Sequence, residues 1–382
     1  MKYKKRWIHA LCAAALAISL ISLSYFRAPY VWMAVVWSTV AFSGVIYSRN
    51  STTKAVWLNV GVAITTLGMI ESYFWLSGGA GDKLRYEYQE RRITRHTPLG
   101  YAPQESMVYS GARYFGDKAI YHVTYTIGAN GLRIGSPSAG GSDSTDCVVF
   151  FGDSFTFGEG VSDNETMPYL VGQQSGGQYH TYNFGFHGYG PHQMLVTLEY
   201  NLEGHVLDCK PRFAVYQAIP DHLRRVTHDT YGPRYVLEKD GHVRLAGRLD
   251  DAQSNVINTV VVEQLKKSLL VQKINNRISS SDVALFLGIV DSSRNIFEHR
   301  YTGSMFHVIF WDTEDHCPRD TCQSILEGLR DKRIRVHLIS NILPEYNKNK
   351  TKYTIGLGDK HPNALAHGLI AQYVVENILR KQ

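Results

Sequence analysis

The residues with the most chemical content lie at 151–160, FGDSFTFGEG. They follow an apolar, β-like run, Cys147-Val148-Val149-Phe150-Phe151. Gly152-Asp153-Ser154 breaks that run, and Gly158 and Gly160 keep the backbone behind it loose. A serine on a tight turn at the carboxyl end of a buried strand is where α/β folds place a nucleophile. The turn lifts the hydroxyl out of the sheet, and the segment behind it can offer backbone N–H groups to an oxyanion. The pattern is not the G-x-S-x-G elbow, and a bare Gly-Asp-Ser arises often by chance, so it needs partners.

Two further segments supply them. A serine nucleophile needs a base, and the base needs an orienting carboxylate. Asp359-Lys360-His361-Pro362-Asn363 stands near the C-terminus, before a helical stretch. Of the 16 histidines, His361 alone combines an aspartate two residues before it with a Pro-Asn helix start after it. Between the two motifs lies Asn183-Phe184-Gly185-Phe186-His187-Gly188-Tyr189-Gly190, after a second β-like run. Glycine there lets a backbone N–H approach a reacting oxygen closely. The expected roles are Ser154 as nucleophile, His361 as base and Asp359 as its orienter. Ser154 and Gly185 would supply oxyanion N–H groups, with Asn183 as a side-chain candidate. Asp153 is expected to hold the turn, and His187, His192 and His222 to be structural or pocket-lining.

Gly-Asp-Ser, Asn-x-Gly-x-x-Gly and Asp-x-His-Pro in that order resemble the SGNH/GDSL hydrolase family, over about residues 145–380. The resemblance implies a flavodoxin-like α/β domain, a parallel sheet covered by helices on both faces, and acyl-ester chemistry with no cofactor or metal. There are two departures. The family's third block usually reads Gly-x-Asn-Asp, and its Asn donates to the oxyanion. Here the strand Phe213–Gln217 runs into Ala218-Ile219-Pro220-Asp221-His222, so proline, which donates nothing, stands in that place. Gln217, Asn183 or His222 could supply a side chain instead. Losing one such donor costs about 100- to 1000-fold in rate. The second departure is Gly358 where the family usually has Asp, with Asp359 only two residues before His361. That shorter spacing resembles periplasmic alginate-type O-acetylation proteins.

These motifs occupy the back of a chain whose front is apolar. Trp7–Phe26, Tyr30–Tyr47 and Ala55–Leu76 are each long enough to cross a bilayer of roughly 30 Å. Aromatic residues stand at their ends, as an interfacial belt would. A cleaved signal peptide is the alternative for the first run, but no clear small-x-small site follows it. Lys2, Lys4, Lys5, Arg6, Arg49 and Lys54 against Arg27 put the N-terminus inside and everything after Leu76 outside. Arg85, Arg91, Arg92 and Arg95 run against this, but they open a long translocated domain and are mixed with acidic residues.

The expected architecture is α/β. A membrane domain with three transmembrane helices spans 1–76. A linker and β-rich approach segment follows at 77–144, then an SGNH-like domain at 145–382 with an insertion around 221–300. Asn130-Gly131 marks a hairpin signal in the approach segment. Net charge is +6 with 19% charged residues, and no motif or basic stripe points to nucleic acid. The five cysteines show no metal-ligand spacing. Cys317 and Cys322 are close, and Cys147 and Cys209 precede successive strands. Pairing is open, with a buried free thiol the simpler reading of Cys147. The acidic cluster Asp312, Glu314, Asp315 reads as a solvated loop.

The functional expectation is a serine esterase on acyl, above all O-acetyl, esters of an extracytoplasmic or exopolysaccharide glycan. It would sit in a bacterial inner membrane with its catalytic domain periplasmic. One alternative is a polysaccharide O-acetyltransferase served by a membrane-bound O-acyltransferase. Another is a non-catalytic glycan-binding subunit with a polysaccharide export partner.

Overall fold

The computed structural model describes residues 12, 14–19, 29–77, 84–88, 93–96, 98–136, 146–228, 232–249, 268–271, 278–314 and 316–380. The chain divides into two compact units, Met1–Asp82 with Gln253–Arg277, and Lys83–Ala252 with Ile278–Gln382.

The first unit contains helices α1 (Pro29–Tyr47) and α2 (Ser51–Ser77). Among the described residues these two, not three, are long and apolar enough to cross a membrane. Most of the first apolar run lies outside the described residues; 12 and 14–19 are helical. Ser38 Oγ and Thr65 Oγ1 share a hydrogen bond of 2.9 Å between the helices, and glycine packs where they meet: a Cβ at Gly68 would lie 2.4 Å from that of Ala34. The buried carboxylate of Glu71 accepts hydrogen bonds from Ser268 Oγ, Leu269 N and Leu270 N at 2.9, 2.7 and 3.0 Å. The rest of the stretch 258–277 lies outside the described residues.

The second unit begins with β1 (Leu84–Tyr88), β2 (Ile93–His96), β3 (Gly100–Pro103), β4 (Met107–Phe115) and β5 (Lys118–Ile127). β1, β4 and β5 form an antiparallel sheet, so the expected linker and approach segment carries a folded wall of this unit. Asn130-Gly131 turns the chain back after β5 into a single bridge, Ile127 to Arg133, rather than a full hairpin.

The core follows: β6 (Asp146–Phe151), α3 (Ser154–Phe157), α4 (Met167–Gln174), β7 (His180–Asn183), α5 (Pro191–Glu199) and β8 (Lys210–Ala218). Next come α6 (His222–His228), the hairpin β9 (Pro233–Leu237) and β10 (Val243–Arg248), α7 (Ser280–Arg300), β11 (Met305–Phe310), α8 (Arg319–Asp331) and β12 (Arg335–Leu338). The chain ends through α9 (Ile339–Ile342), β13 (Thr354–Gly356), β14 (Asp359–Pro362) and α10 (Ala364–Val374).

Strands β12-β11-β8-β6-β7 form one sheet in which every pair is parallel. Counting only these strands, the spatial order is 2-1-3-4-5, the flavodoxin-like winding. Alternation along each strand feeds two cores. Val148, Phe150, Phe213, Val215 and Ile309 pack with Met167, Val171, Ile370 and Val374 on α4 and α10. Val149, Phe151, Ala214, Tyr216, Phe306 and Val308 pack with Leu198, Phe286, Val290, Ile325 and Leu329 on α5, α7 and α8. Burial on both faces explains why β6 is a continuous apolar run rather than an alternating one. It also makes α7, read as part of an insertion, a covering helix of the sheet.

Cys147 is bonded to Cys209 and Cys317 to Cys322, so Cys147 is not a free thiol. Asp312 accepts hydrogen bonds from Ser340 N and Oγ, which gives this acidic residue a structural role; Asp315 lies outside the described residues.

Candidate active site

The turn after β6 is fixed from several sides. Gly152 has φ 153°, and a Cβ there would lie 2.1 Å from Thr156 Oγ1. Asp153 caps α3 by accepting from Phe155 N at 3.0 Å. Its other oxygen accepts from Arg225 Nη1 at 2.9 Å and lies 3.3 Å from His222 Nε2. Burial alone would raise the Asp153 pKa, but the charges of Arg225 and His222 hold it well below the usual carboxylate range. The buried Arg133 braces the far side, donating to Phe157 O, Gly158 O and Val161 O at 2.6–2.7 Å and to Asp163 at 2.9 Å. Asp153 therefore holds the turn, as its position in the motif led one to expect.

This scaffold and the C-terminal hairpin bring together three residues far apart in sequence. Ser154 Oγ lies 2.8 Å from His361 Nε2, and His361 Nδ1 lies 2.7 Å from Asp359 Oδ1. With Nδ1–H given to Asp359, Nε2 is left to accept the serine proton. The two-residue spacing works because Asp359 and His361 both lie on β14. Residues i and i+2 of a strand share a face, so carboxylate and imidazole point the same way. The turn after the last parallel strand does not carry this pair directly: α9 and β13 intervene. Burial alone would lower the His361 pKa, but Glu159 and Asp359 raise it. Burial would likewise raise Asp359, but hydrogen bonding and charge from His361 lower it.

The oxyanion donors are arranged differently from the expectation. Gly185 N–H donates to Asn183 Oδ1 at 3.0 Å, and Asn183 Nδ2 donates to Thr156 O at 3.0 Å. Both groups are committed to stitching the loop after β7 onto the Ser154 turn, so neither is a free donor. Glycine is required at 185 for that close approach: a Cβ would lie 2.7 Å from Thr156 Cβ and 2.8 Å from Phe157 N. In the turn, the N–H groups of Phe155, Thr156, Phe157 and Gly158 are all used. Ser154 N–H, at the first helical position, is left for an oxyanion. Gln217 accepts from Thr156 Oγ1 at 3.1 Å, and His222 packs on Tyr216 and faces Asp153.

Arg113, Glu159 and three tyrosines were not foreseen. Arg113 on β4 donates to Asp359 Oδ2 at 2.5 Å, with its guanidinium 4.0 Å above the Tyr86 ring. Glu159 is buried and accepts from Tyr88 OH at 2.8 Å and Tyr121 OH at 3.1 Å. Its Oε2 lies 2.7 Å from His187 Nδ1 and 3.6 Å from His361 Nε2. A hollow of about 560 Å³ opens here, lined by Tyr86, Tyr88, Glu159 and His187. Glu159 stood in view within FGDSFTFGEG, whereas Arg113 sits in a segment read as linker, where the alternation of Met107–Phe115 was the available signal. Among the described residues no cluster of His, Cys, Asp or Glu fits a metal.

No protein-family profile and no curated protein matches the chain. Solved structures give low-identity likenesses. A member of the lipolytic G-D-S-L family from Veillonella parvula is 14% identical, over 62% of this chain and 99% of that one, with a TM-score of 0.38. A G-D-S-L family lipolytic protein from Desulfitobacterium hafniense is 13% identical, over 60% and 97%, with a TM-score of 0.32. An acetyl xylan esterase from Butyrivibrio proteoclasticus is 10% identical, over 61% and 63%, with a TM-score of 0.35.

Proposed function

We propose that the chain is a serine enzyme of acyl-ester chemistry, of the SGNH/GDSL kind. The observation that carries the reading is the continuous array Ser154–His361–Asp359, with contacts of 2.8 and 2.7 Å. Ser154 Oγ attacks the acyl carbonyl carbon while His361 Nε2 takes the hydroxyl proton. The tetrahedral oxyanion accepts from Ser154 N–H. Collapse breaks the ester C–O bond, and His361 returns the proton to the departing alcohol. The acyl group stays on Ser154 until a second hydroxyl, assisted by the same imidazole, takes it. Asp359 fixes the tautomer and stabilises the imidazolium, while Arg113 keeps Asp359 ionised and aimed.

The acyl group we favour is acetyl and the carrier a glycan outside the cytoplasm, because a small acyl group suits a nucleophile that is only 6% exposed. Two apolar helices near the N-terminus, flanking basic residues and two disulfides favour a bacterial inner-membrane anchor with the catalytic unit in the periplasm. Water as second acceptor makes an esterase, and a sugar hydroxyl makes an O-acetyltransferase served by a membrane-bound O-acyltransferase. Detergent-solubilised full chain with p-nitrophenyl acetate and acetylated oligosaccharides tests the reading. Acetate release that falls at least about 1000-fold in Ser154→Ala is expected. Equal release by wild type and S154A, or glycan binding with no turnover, overturns it.

A further inference from the structure

The catalytic imidazole is faced by two carboxylates rather than one. Asp359 takes Nδ1. On the other side, Glu159 Oε2 stands 3.6 Å from Nε2, the nitrogen that must receive the serine proton. Resting on the reading above, we propose that Glu159 is a positioning residue for the reaction: a second counter-ion that stabilises the imidazolium from its Nε2 side.

The surroundings suit a permanent charge. Glu159 is 5% exposed, and three donors, Tyr88 OH, Tyr121 OH and His187 Nδ1, converge on its oxygens. Burial alone would keep it protonated, but the charges of His361 and His187 and these hydrogen bonds hold its pKa well below the usual range. A neutral His361 offers Nε2 to Ser154 as an acceptor and gains little from Glu159. Once Nε2 carries a proton, that N–H faces a fixed negative charge 3.6 Å away. The interaction is therefore stronger after proton transfer than before it, which is the condition for accelerating a step. The same interaction raises the resting pKa of His361, so the neutral base is reached only at higher pH.

The other groups facing His361 are Asp359 beside it on β14, Arg113 from β4 at 3.5 Å from Nδ1, and Asp153 in the turn. His367 on α10 is coupled to it by like charge, and His187 reaches it only through Glu159. All of these survive replacement of Glu159 by its neutral isostere. Glu159→Gln in the full chain is therefore expected to move the acidic limb of kcat/KM for p-nitrophenyl acetate down by about 1–3 pH units, the usual effect of one opposite charge at this range. At the alkaline plateau kcat should fall at least about 10-fold, with KM nearly unchanged. A purely structural role would lower activity at every pH and leave the midpoint where it is, so an unmoved limb in folded E159Q overturns the proposal. If E159Q does not fold, Glu159→Asp decides. It withdraws the charge by one methylene, roughly 1.5 Å, and coincident wild-type and E159D limbs overturn the proposal. Ser154→Ala separates the two readings: loss of turnover in S154A with an unmoved limb in E159Q refutes only the role of Glu159.

Discussion

At the residue scale, the site depends on atoms that approach closely and leave no slack. Gly185 shows this best. Its missing Cβ is what lets the loop after β7 lie against Asp153 O, Thr156 and Phe157 N. Gly185→Ala should displace the turn that carries Ser154. A loss of about 1–3 kcal/mol in stability from overpacking is expected in urea melts. A drop in kcat larger than stability alone explains should accompany it, because the Ser154–His361 contact lengthens. Ser154, His361 and Asp359 were all legible in the sequence, since each motif states its chemistry through residue type and local breakers. Of the expected oxyanion donors, Ser154 N–H is left open by the fold, whereas Gly185 and Asn183 are not. A glycine and an asparagine after a strand look like free donors in one dimension, but only the fold shows that Asn183 closes on Gly185 N–H.

At the element scale, the antiparallel sheet β1-β4-β5 is the part that sequence reading undervalued. Its strands were masked by polar and aromatic residues that suit a linker, whereas the parallel strands announced themselves as apolar runs. Yet this sheet supplies Tyr86 and Tyr88, Arg113, and Tyr121 and Tyr125 around the Ser154 loop. Tyr125 OH accepts from Gly160 N at 2.9 Å, and Tyr86 roofs the guanidinium that holds Asp359. The short strand β14 shows the opposite case: its two-residue Asp-x-His spacing looked like a weakness until the strand conformation put both side chains on one face. Tyr86→Ala removes one cation–π contact, worth about 0.5–1 kcal/mol. A fall in kcat of about 2- to 5-fold with unchanged KM is therefore expected in steady-state assays, with a larger effect for Arg113→Met, which strands a buried carboxylate.

At the scale of the whole molecule, the buried titratable groups set how stability follows pH. Burial, helped by neighbouring like charge, pushes His192, His307 and His367 down to about 3. Their folded pKa values are depressed, so the stability they contribute is present above the unfolded value of about 6.5 and is lost as pH falls from there toward 3. Asp153, Glu159 and Asp359 are also depressed, and their contribution is lost below about pH 4. His361 is raised and works the other way, stabilising below about 6.5 and losing that contribution as pH climbs through its folded value. With His222, which burial also lowers, four depressed histidines outweigh the raised His361, Glu199 and Glu203. Urea midpoints should therefore decline from pH 7 to pH 5 and drop more steeply below pH 4; a midpoint constant or rising over that range would contradict this balance.

The chain passes between its two compact units three times, after Asp82, after Ala252 and after Arg277. Two units joined by one linker are separated by a single cut. Here a cut between Ser77 and Leu84 would leave the second unit still covalently joined to 253–277. That stretch is itself gripped by the apolar helix α2, through the hydrogen bonds of Ser268, Leu269 and Leu270 to Glu71. The connection is thus redundant: separating the units would take two further cuts, one after residue 252 and one after residue 277. Two units fastened this way stay joined after any single cut in the connections between them.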